Sequence, residues 1–256
     1  MIIVFSGTGN SLHIANLLAE NLNERVVKLP CTESLSVDEN EGRIVWVFPV
    51  YSWGVPPIVM RWLANIVIAG AERVVHHLVL TCGDDIGLAD KMWQRAILSR
   101  GWNFGKVFSV QMPNTYVFMK GFDVDSSEIA TEKVKASKER CATIADSIMR
   151  GANRTSDVVR GKMAWLKTKV IYPYFVKFEM SPKPFHASVS CIGCGLCSRV
   201  CPLSNIEMEP TEEGLNRPVW GSNCALCSGC YHCCPVHAVQ YGKTTLKKGQ
   251  KKILTR

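Results

Sequence analysis

No long apolar run occurs anywhere in the 256 residues; none reaches the roughly 18 that a membrane span requires. The short run at residues 2–5 has no basic residue before its apolar stretch and yields at once to Gly7 and Gly9. It reads as a first strand and not as a secretory signal. Acids are scarce in one half. Residues 152–256 hold 6 Asp/Glu against 15 Lys/Arg, net +9, whereas residues 1–151 hold 16 against 15, net −1. The 6 histidines (13, 76, 77, 186, 232 and 237) fall at no metal-ligating spacing. Cysteine, by contrast, is plentiful. Of 12 cysteines, all but Cys31, Cys82, Cys141 and Cys233 lie in two tight runs near the C-terminus. A chain of this size needs no disulfide staples, so metal ligation in a reducing, cytoplasmic setting is the better account.

The first 150 residues alternate strand-like and helix-like patterns. "IIVFS" (2–6), "RVVKL" (25–29), "RIVWVFPV" (43–50), "RVVHHLVLTC" (73–82) and "KVFSVQM" (106–112) read as five strands. Helical patterns follow at 10–23, 56–67, 88–100 and 126–150, the last with a Ser-based N-cap. Strands separated by helices imply parallel β-α-β units, an α/β doubly wound sheet whose ligands sit beyond the carboxyl ends of its strands. Residues 152–185 are basic and aromatic (Trp165, Tyr172, Tyr174, Phe175, Phe178, Phe185). They read as a helical connector packed across a neighbouring domain, broken by Pro173, Pro182 and Pro184; a membrane-surface helix is the alternative. The tail, residues 243–256, reads as a solvated basic end, with docking to an acidic partner as the other reading.

Residues 6–11 carry the first chemistry. Apolar residues give way to Ser6, Gly7, Thr8, Gly9, Asn10 and Ser11, then a helix begins. A Walker loop needs a lysine that is absent here. A dinucleotide fingerprint needs glycine where Leu12 stands, and an acid where the second strand ends in Lys28-Leu29-Pro30. What remains is a site for one terminal phosphate. Three hydroxyls, two glycines that let the backbone approach, and amides at a helix N-terminus suit a phosphomonoester dianion. For this motif alone, a plain glycine turn with hydroxyl caps is the alternative. Two further loops leave strands toward the same edge. "PVYSWGVPP" supplies Pro49, Val50, Tyr51, Ser52, Trp53 and Gly54, with flat aromatic faces for a ring system. "TCGDDIG" supplies Thr81, Cys82, Gly83, Asp84 and Gly87, and "MPNTY" adds Asn114 and Tyr116.

On these residues, 1–151 resembles the flavodoxin family, matching its Ser/Thr-x-Thr-Gly-x-Ser/Thr phosphate loop at Ser6, Thr8, Gly9 and Ser11. The resemblance implies a flavodoxin-like five-stranded sheet of order 2-1-3-4-5 with FMN at its carboxyl edge. It also implies that Ser52, Trp53 and Gly54 face the reactive side of the ring. A peptide near Gly54 would then reorient toward the ring's N5, given glycine's freedom at positive φ.

"CIGCGLCSRVCP" (191–202) and "CALCSGCYHCCP" (224–235) both spell C-x2-C-x2-C-x3-C-P. This is the run of bacterial two-cluster ferredoxins, whose fourth cysteine ligates the other cluster. Cys191, Cys194, Cys197 and Cys234 are thus expected to hold one [4Fe–4S] cluster, and Cys224, Cys227, Cys230 and Cys201 the second. Zinc is the alternative, though it normally takes two separated C-x2-C pairs. Residues 186–242 accordingly read as a small α+β ferredoxin-like domain. The bound groups also temper the charge, since two oxidised clusters add about −4 and a flavin phosphate about −2. That leaves roughly +2 and weakens a nucleic-acid reading.

As a whole the chain resembles flavodoxin–ferredoxin fusion proteins of anaerobic bacteria and archaea. The resemblance implies a low-potential electron-transfer flavoprotein working between redox partner proteins. The rival is an FMN-dependent reductase of a small substrate, fed by the clusters. Asp84 and Asp85 are its only acid–base candidates, and no catalytic residue is assigned.

Overall fold

The computed structural model describes residues 1–31, 34–38, 41–151, 154–212 and 214–251. Its first part runs β1 (Ile2–Val4), α1 (Asn10–Leu22), β2 (Val26–Lys28), β3 (Leu35–Ser36), β4 (Arg43–Pro49), α2 (Pro57–Asn65), β5 (Ile68–Ala69), β6 (Val75–Cys82), α3 (Ala89–Ser99), β7 (Asn103–Gln111), α4 (Ser127–Met149) and β8 (Ser156–Asp157). Six strands form one sheet of order β2-β1-β4-β6-β7-β8, each pairing parallel. The expected five-stranded count is one short. The extra edge strand, β8, is two exposed polar residues within the expected connector, with no apolar periodicity to announce it. β3 and β5 pair separately, also in parallel.

Strand alternation divides the core into two layers. Ile3, Phe5, Trp46, Phe48, Leu78 and Leu80 point toward α2 and α3, where Ile58, Leu63, Trp93 and Ile97 meet them. Ile2, Val4, Val45, Val47, Val79, Phe108 and Val110 point the other way, onto Leu12, Ile14 and Leu18 of α1 and Cys141, Ile144 and Ile148 of α4. Burial on both faces explains why these strands read as continuous apolar runs. Strand order reverses between β1 and β4, so the loops leaving these two strands flank a crevice at the carboxyl edge.

The connector holds one continuous helix built from α5 (Ala164–Leu166), α6 (Tyr172–Tyr174) and the π-helical stretches Lys167–Ile171 and Phe175–Glu179. Pro173 does not break it, contrary to expectation. It occupies the first turn of α6, and the wider π turns on either side absorb the missing donor. Thr168 and Phe175 are buried on the inner face and Tyr172 is half-buried, whereas Trp165, Tyr174 and Phe178 are exposed. The expectation that the aromatics pack across a neighbouring domain therefore fails for half of them.

The C-terminal part comprises β9 (Phe185–Ala187), α7 (Leu196–Arg199), β10 (Ile206–Pro210), β11 (Asn216–Trp220), α8 (Gly229–Cys233) and β12 (Val239–Tyr241). β9 pairs antiparallel with β12, and β10 with β11. β9 starts at Phe185, so it straddles the expected boundary between connector and cysteine domain. A third core gathers Phe118, Phe175, Phe185, Tyr231 and Tyr241 from loop, connector and cysteine domain together.

The tail is not a solvated end over its described residues. Thr245 is fully buried, Lys248 Nζ donates to Val117 O at 2.7 Å and to Met119 O, and Gly249 N donates to Asp123 Oδ1 at 3.0 Å. Lys248 satisfies loop carbonyls, a use that charge counting does not reveal. Residues 252–256 lie outside the described residues.

Candidate functional site

A cavity of about 380 Å³ lies at the carboxyl edge, within the size range of small-ligand sites. Its floor is the loop after β1. Gly9, at φ 87°, is the N-cap of α1, and no side chain caps that helix, an arrangement that suits an anion at its N-terminus. Ser11 Oγ and Thr81 Oγ1 are 2.8 Å apart, and Asn10 Nδ2 donates to Pro113 O at 2.8 Å, which ties the helix start to the end of β6 and the loop after β7. Ser6, Gly7, Thr8, Asn10 and Ser11 line the cavity.

The loop after β4 forms one wall. Tyr51 and Gly54 exchange two backbone hydrogen bonds of 2.9 Å, closing a two-residue turn with Ser52 at φ 43° and Trp53 at φ 63°. Positive φ at both central positions marks a type I′ turn, and for non-glycine residues it costs about 1–3 kcal/mol each. The connector helix offsets this. Thr168 Oγ1 donates to Trp53 O at 2.7 Å, Lys167 Nζ lies 4.9 Å from the centre of the Trp53 ring, and Tyr172 OH donates to Val55 O at 2.6 Å.

Of the residues expected here, Pro49, Val50, Tyr51, Ser52, Trp53, Thr81, Cys82, Gly83, Asp84, Asn114 and Tyr116 line the cavity together with the phosphate loop. Gly9, Gly54 and Gly87 do not. Gly54 does not adopt the positive φ expected of it, and its carbonyl accepts from Tyr51 N. It is glycine because a Cβ would lie 2.6 Å from Cγ of Tyr172. Gly87, at φ 54°, lies beneath Thr168 and Trp53. Asp85 is not a free acid. Its carboxylate pairs with Lys167 Nζ at 2.6 Å and accepts from Gly87 N at 3.0 Å.

Sequence reasoning missed the rest of the lining. Ile171, Tyr174, Phe175 and Glu179 come from the connector helix, and Leu226, Cys227 and Ser228 from the second cysteine run. The aromatic content of residues 152–185 was the available signal, but nothing local said which side of the helix faced the crevice. Lys251 was missed too; its ammonium donates to Asn10 Oδ1 at 3.3 Å, and burial lowers its pKa to about 8.

The cysteines fall into two groups. One small cavity is lined by Cys191, Cys194, Cys197 and Cys234, a second by Cys201, Cys224, Cys227 and Cys230. The fourth cysteine of each run thus crosses to the other group. Among the described residues no three ligating side chains converge closely enough for one metal ion. Backbone amides already face the sulfurs, with Ala238 N to Cys234 Sγ at 3.1 Å, Leu226 N to Cys224 Sγ at 3.3 Å and Asn205 N to Cys201 Sγ at 3.4 Å. Burial raises the Cys230 thiol well above its ordinary range, and the buried indole N–H of Trp220 beside it offsets this only in part. Burial pushes Cys227 up to about 12 and Cys197 to about 11, so these sulfurs ionise only against a strong cationic centre.

The two sites touch. A Cβ on Gly7 would lie 2.7 Å from Cys227 Sγ and 2.8 Å from Cys227 O. Tyr51 packs against both the sheet core and the core of the cysteine domain.

Among solved structures, an azoreductase from Bacillus anthracis str. Sterne is 13% identical, with 57% of this chain and 98% of that chain covered, at a TM-score of 0.37. An NAD(P)H:quinone oxidoreductase from Methanothermobacter marburgensis is 10% identical, with 56% and 94% covered, at 0.36. Likenesses this weak carry no argument about chemistry. No curated protein matches the sequence. Residues 190–239, which hold both cysteine runs, match the family model of the 4Fe-4S dicluster domain.

Proposed function

We propose that the chain is an electron-transfer iron–sulfur flavoprotein. In this reading FMN occupies the cavity at the carboxyl edge of a flavodoxin-like sheet, and two [4Fe–4S] clusters occupy the two four-cysteine cavities. The observation that carries it is Cys227, which lines both the large cavity and one cysteine cavity while packing on Gly7 of the phosphate loop. A flavin exchanges one or two electrons whereas each cluster takes one, so the pair joins two-electron to one-electron chemistry.

The chain's own residues bind and shield. The amides opening α1, with Ser6, Thr8 and Ser11, hold the terminal phosphate. Tyr51, Trp53 and Tyr116 offer aromatic walls for the ring, and backbone groups of the Thr81–Cys82–Gly83 segment meet its polar edge. Ile171, Phe175 and Leu226 close the cavity and exclude water on the side facing the cysteine domain. Cys191, Cys194, Cys197 and Cys234 hold the cluster farther from the cavity; Cys224, Cys227, Cys230 and Cys201 hold the nearer one. Cys194, exposed in the farther group, marks where a redox partner protein would approach a cluster held there.

Anaerobic purification tests the reading. About eight irons and one FMN per chain are expected, with bleaching of both chromophores on reduction. Zinc in place of iron, or failure to retain a flavin, rejects it. Steady reduction of a small substrate without any partner protein replaces electron carriage with direct reductase activity.

A further inference from the structure

The connector helix turns four apolar side chains to the outside in a single band. Trp165 is 65% exposed, Val170 49%, Tyr174 55% and Phe178 58%. With alternating α and π turns the helix averages close to four residues per turn. Val170, Tyr174 and Phe178 therefore stack in one row, and the Tyr174 and Phe178 ring centroids are 4.9 Å apart. Trp165, Lys169, Pro173 and Lys177 form the row beside it. Nothing in the described chain covers this face.

Its charge is one-sided. Between residues 158 and 190 the cations are Arg160, Lys162, Lys167, Lys169, Lys177 and Lys183, and the one acid is Glu179. Arg160 is spent on Asp90 and Lys167 on Asp85, both on the inner side. Lys162, Lys169, Lys177 and Lys183 are exposed and make no ion pair among the described residues. Aromatic residues beside unpaired lysines on an exposed helix match the chemistry of a headgroup boundary, where rings sit at the interface and ammonium groups meet lipid phosphates. No described helix is long and apolar enough to cross a membrane, so such a helix lies on the surface.

We propose that this outer face docks flat on an anionic lipid bilayer, which brings the mouth of the large cavity to headgroup level. Tyr174 links the two features, for it lines the cavity and is more than half exposed in the band. The proposal stands on the helix alone and does not require the cofactor assignment.

The test is flotation of the full-length holoprotein with vesicles of phosphatidylcholine containing about 30% phosphatidylglycerol, compared with pure phosphatidylcholine. Binding to the anionic vesicles only, weakened by salt, is expected. Lys169→Gln and Lys177→Gln should each weaken it about fivefold. The double variant Trp165→Ser/Phe178→Ser, altered only at exposed positions, should abolish binding while iron and flavin content stay at wild-type level. No flotation, or equal flotation on neutral vesicles, overturns the proposal. So does a dimer by light scattering that Phe178→Ser converts to monomer, because the band would then be covered by a second copy of the chain. Flotation is scored independently of bound cofactor, so its failure and a failure of the flavin reading are separate results.

Discussion

Lys251 reaches the phosphate loop from 241 positions along the chain, carried there by a tail whose preceding residues are bonded in sequence. Tyr231 OH donates to Lys248 O and Gly249 O, Gln250 Nε2 donates to Tyr231 O at 2.6 Å, and Lys251 N donates to His232 Nδ1 at 3.1 Å. Burial depresses the lysine first of all, and Asp125 offsets this only in part. A desolvated ammonium beside the uncapped start of α1 lacks a full counter-charge, and a phosphate dianion would supply it. A charge-assisted hydrogen bond of this kind is worth about 1.5–3 kcal/mol. Lys251→Met should therefore weaken FMN binding about tenfold or more and leave riboflavin, which has no phosphate, unchanged. Titrating the apoprotein with both flavins, followed by flavin fluorescence, makes the comparison. Equal losses for the two ligands would show that Lys251 acts on the fold and not on the phosphate.

At the scale of elements, β6 carries an adjacent pair of histidines that no metal or catalytic role claims. His76 Nδ1 accepts from Trp46 Nε1 at 3.0 Å, and the carbonyl of Ala71 lies 2.9 Å from Nε2, so the neutral Nε2–H tautomer satisfies both neighbours. His77 Nδ1 accepts from Lys106 N at 3.0 Å. Burial lowers both to about 4, with Arg43 and Lys106 adding to the effect on His77. The unfolded chain binds these protons below pH 6.5 and the folded chain does not until about pH 4. Stability is thus fully present above pH 6.5 and is lost as pH falls through that window, by about 1.4 kcal/mol per unit for each histidine. Urea midpoints between pH 7 and pH 5 should show the decline, and His77→Asn, which keeps an acceptor for Lys106 N, should remove one histidine's share of it. The strand itself was legible in the sequence as "RVVHHLVLTC", because parallel strands buried on both faces read as unbroken apolar runs. The match of residues 190–239 to the 4Fe-4S dicluster domain was legible for a different reason, namely that the C-x2-C-x2-C-x3-C-P spacing is distinctive in itself. The connector was not legible. Composition marked residues 152–185 as helical, but the inner and outer faces depend on Asp85, Asp90, Trp53 and Val55, which are distant in sequence. Gly54 was misjudged in the same way, since the ring of Tyr172 that requires a glycine there lies far along the chain.

Over the whole molecule, the two halves meet through polar and close-packed contacts as well as their shared core. The carbonyl of Thr115 accepts from Ser228 Oγ at 3.1 Å and lies 2.8 Å from His232 Nε2, the tail bonds to the loop after β7, and the phosphate loop meets the second cysteine run at Gly7. Interfaces between domains of one chain are ordinarily polar enough to allow relative motion. Here the third contact leaves no space for a side chain. Gly7 meets Cys227, and a Cβ on Gly229 would lie 2.5 Å from Gly7 O, so each loop needs glycine because of the other. Under the proposed function, tethering alone would make electron exchange intramolecular, and close packing of these loops would fix the distance over which it occurs. Gly7→Ala must push the loops apart against Cys227 backbone, at a cost of about 1–3 kcal/mol. The wild-type holoprotein should unfold in one calorimetric transition, because its halves share a core and a tail. The variant should show two, with the transition of the cysteine domain several degrees lower and its iron content retained. A single transition at the wild-type midpoint would mean that the shared core at Phe118, Phe175 and Tyr231 joins the halves without help from the loops.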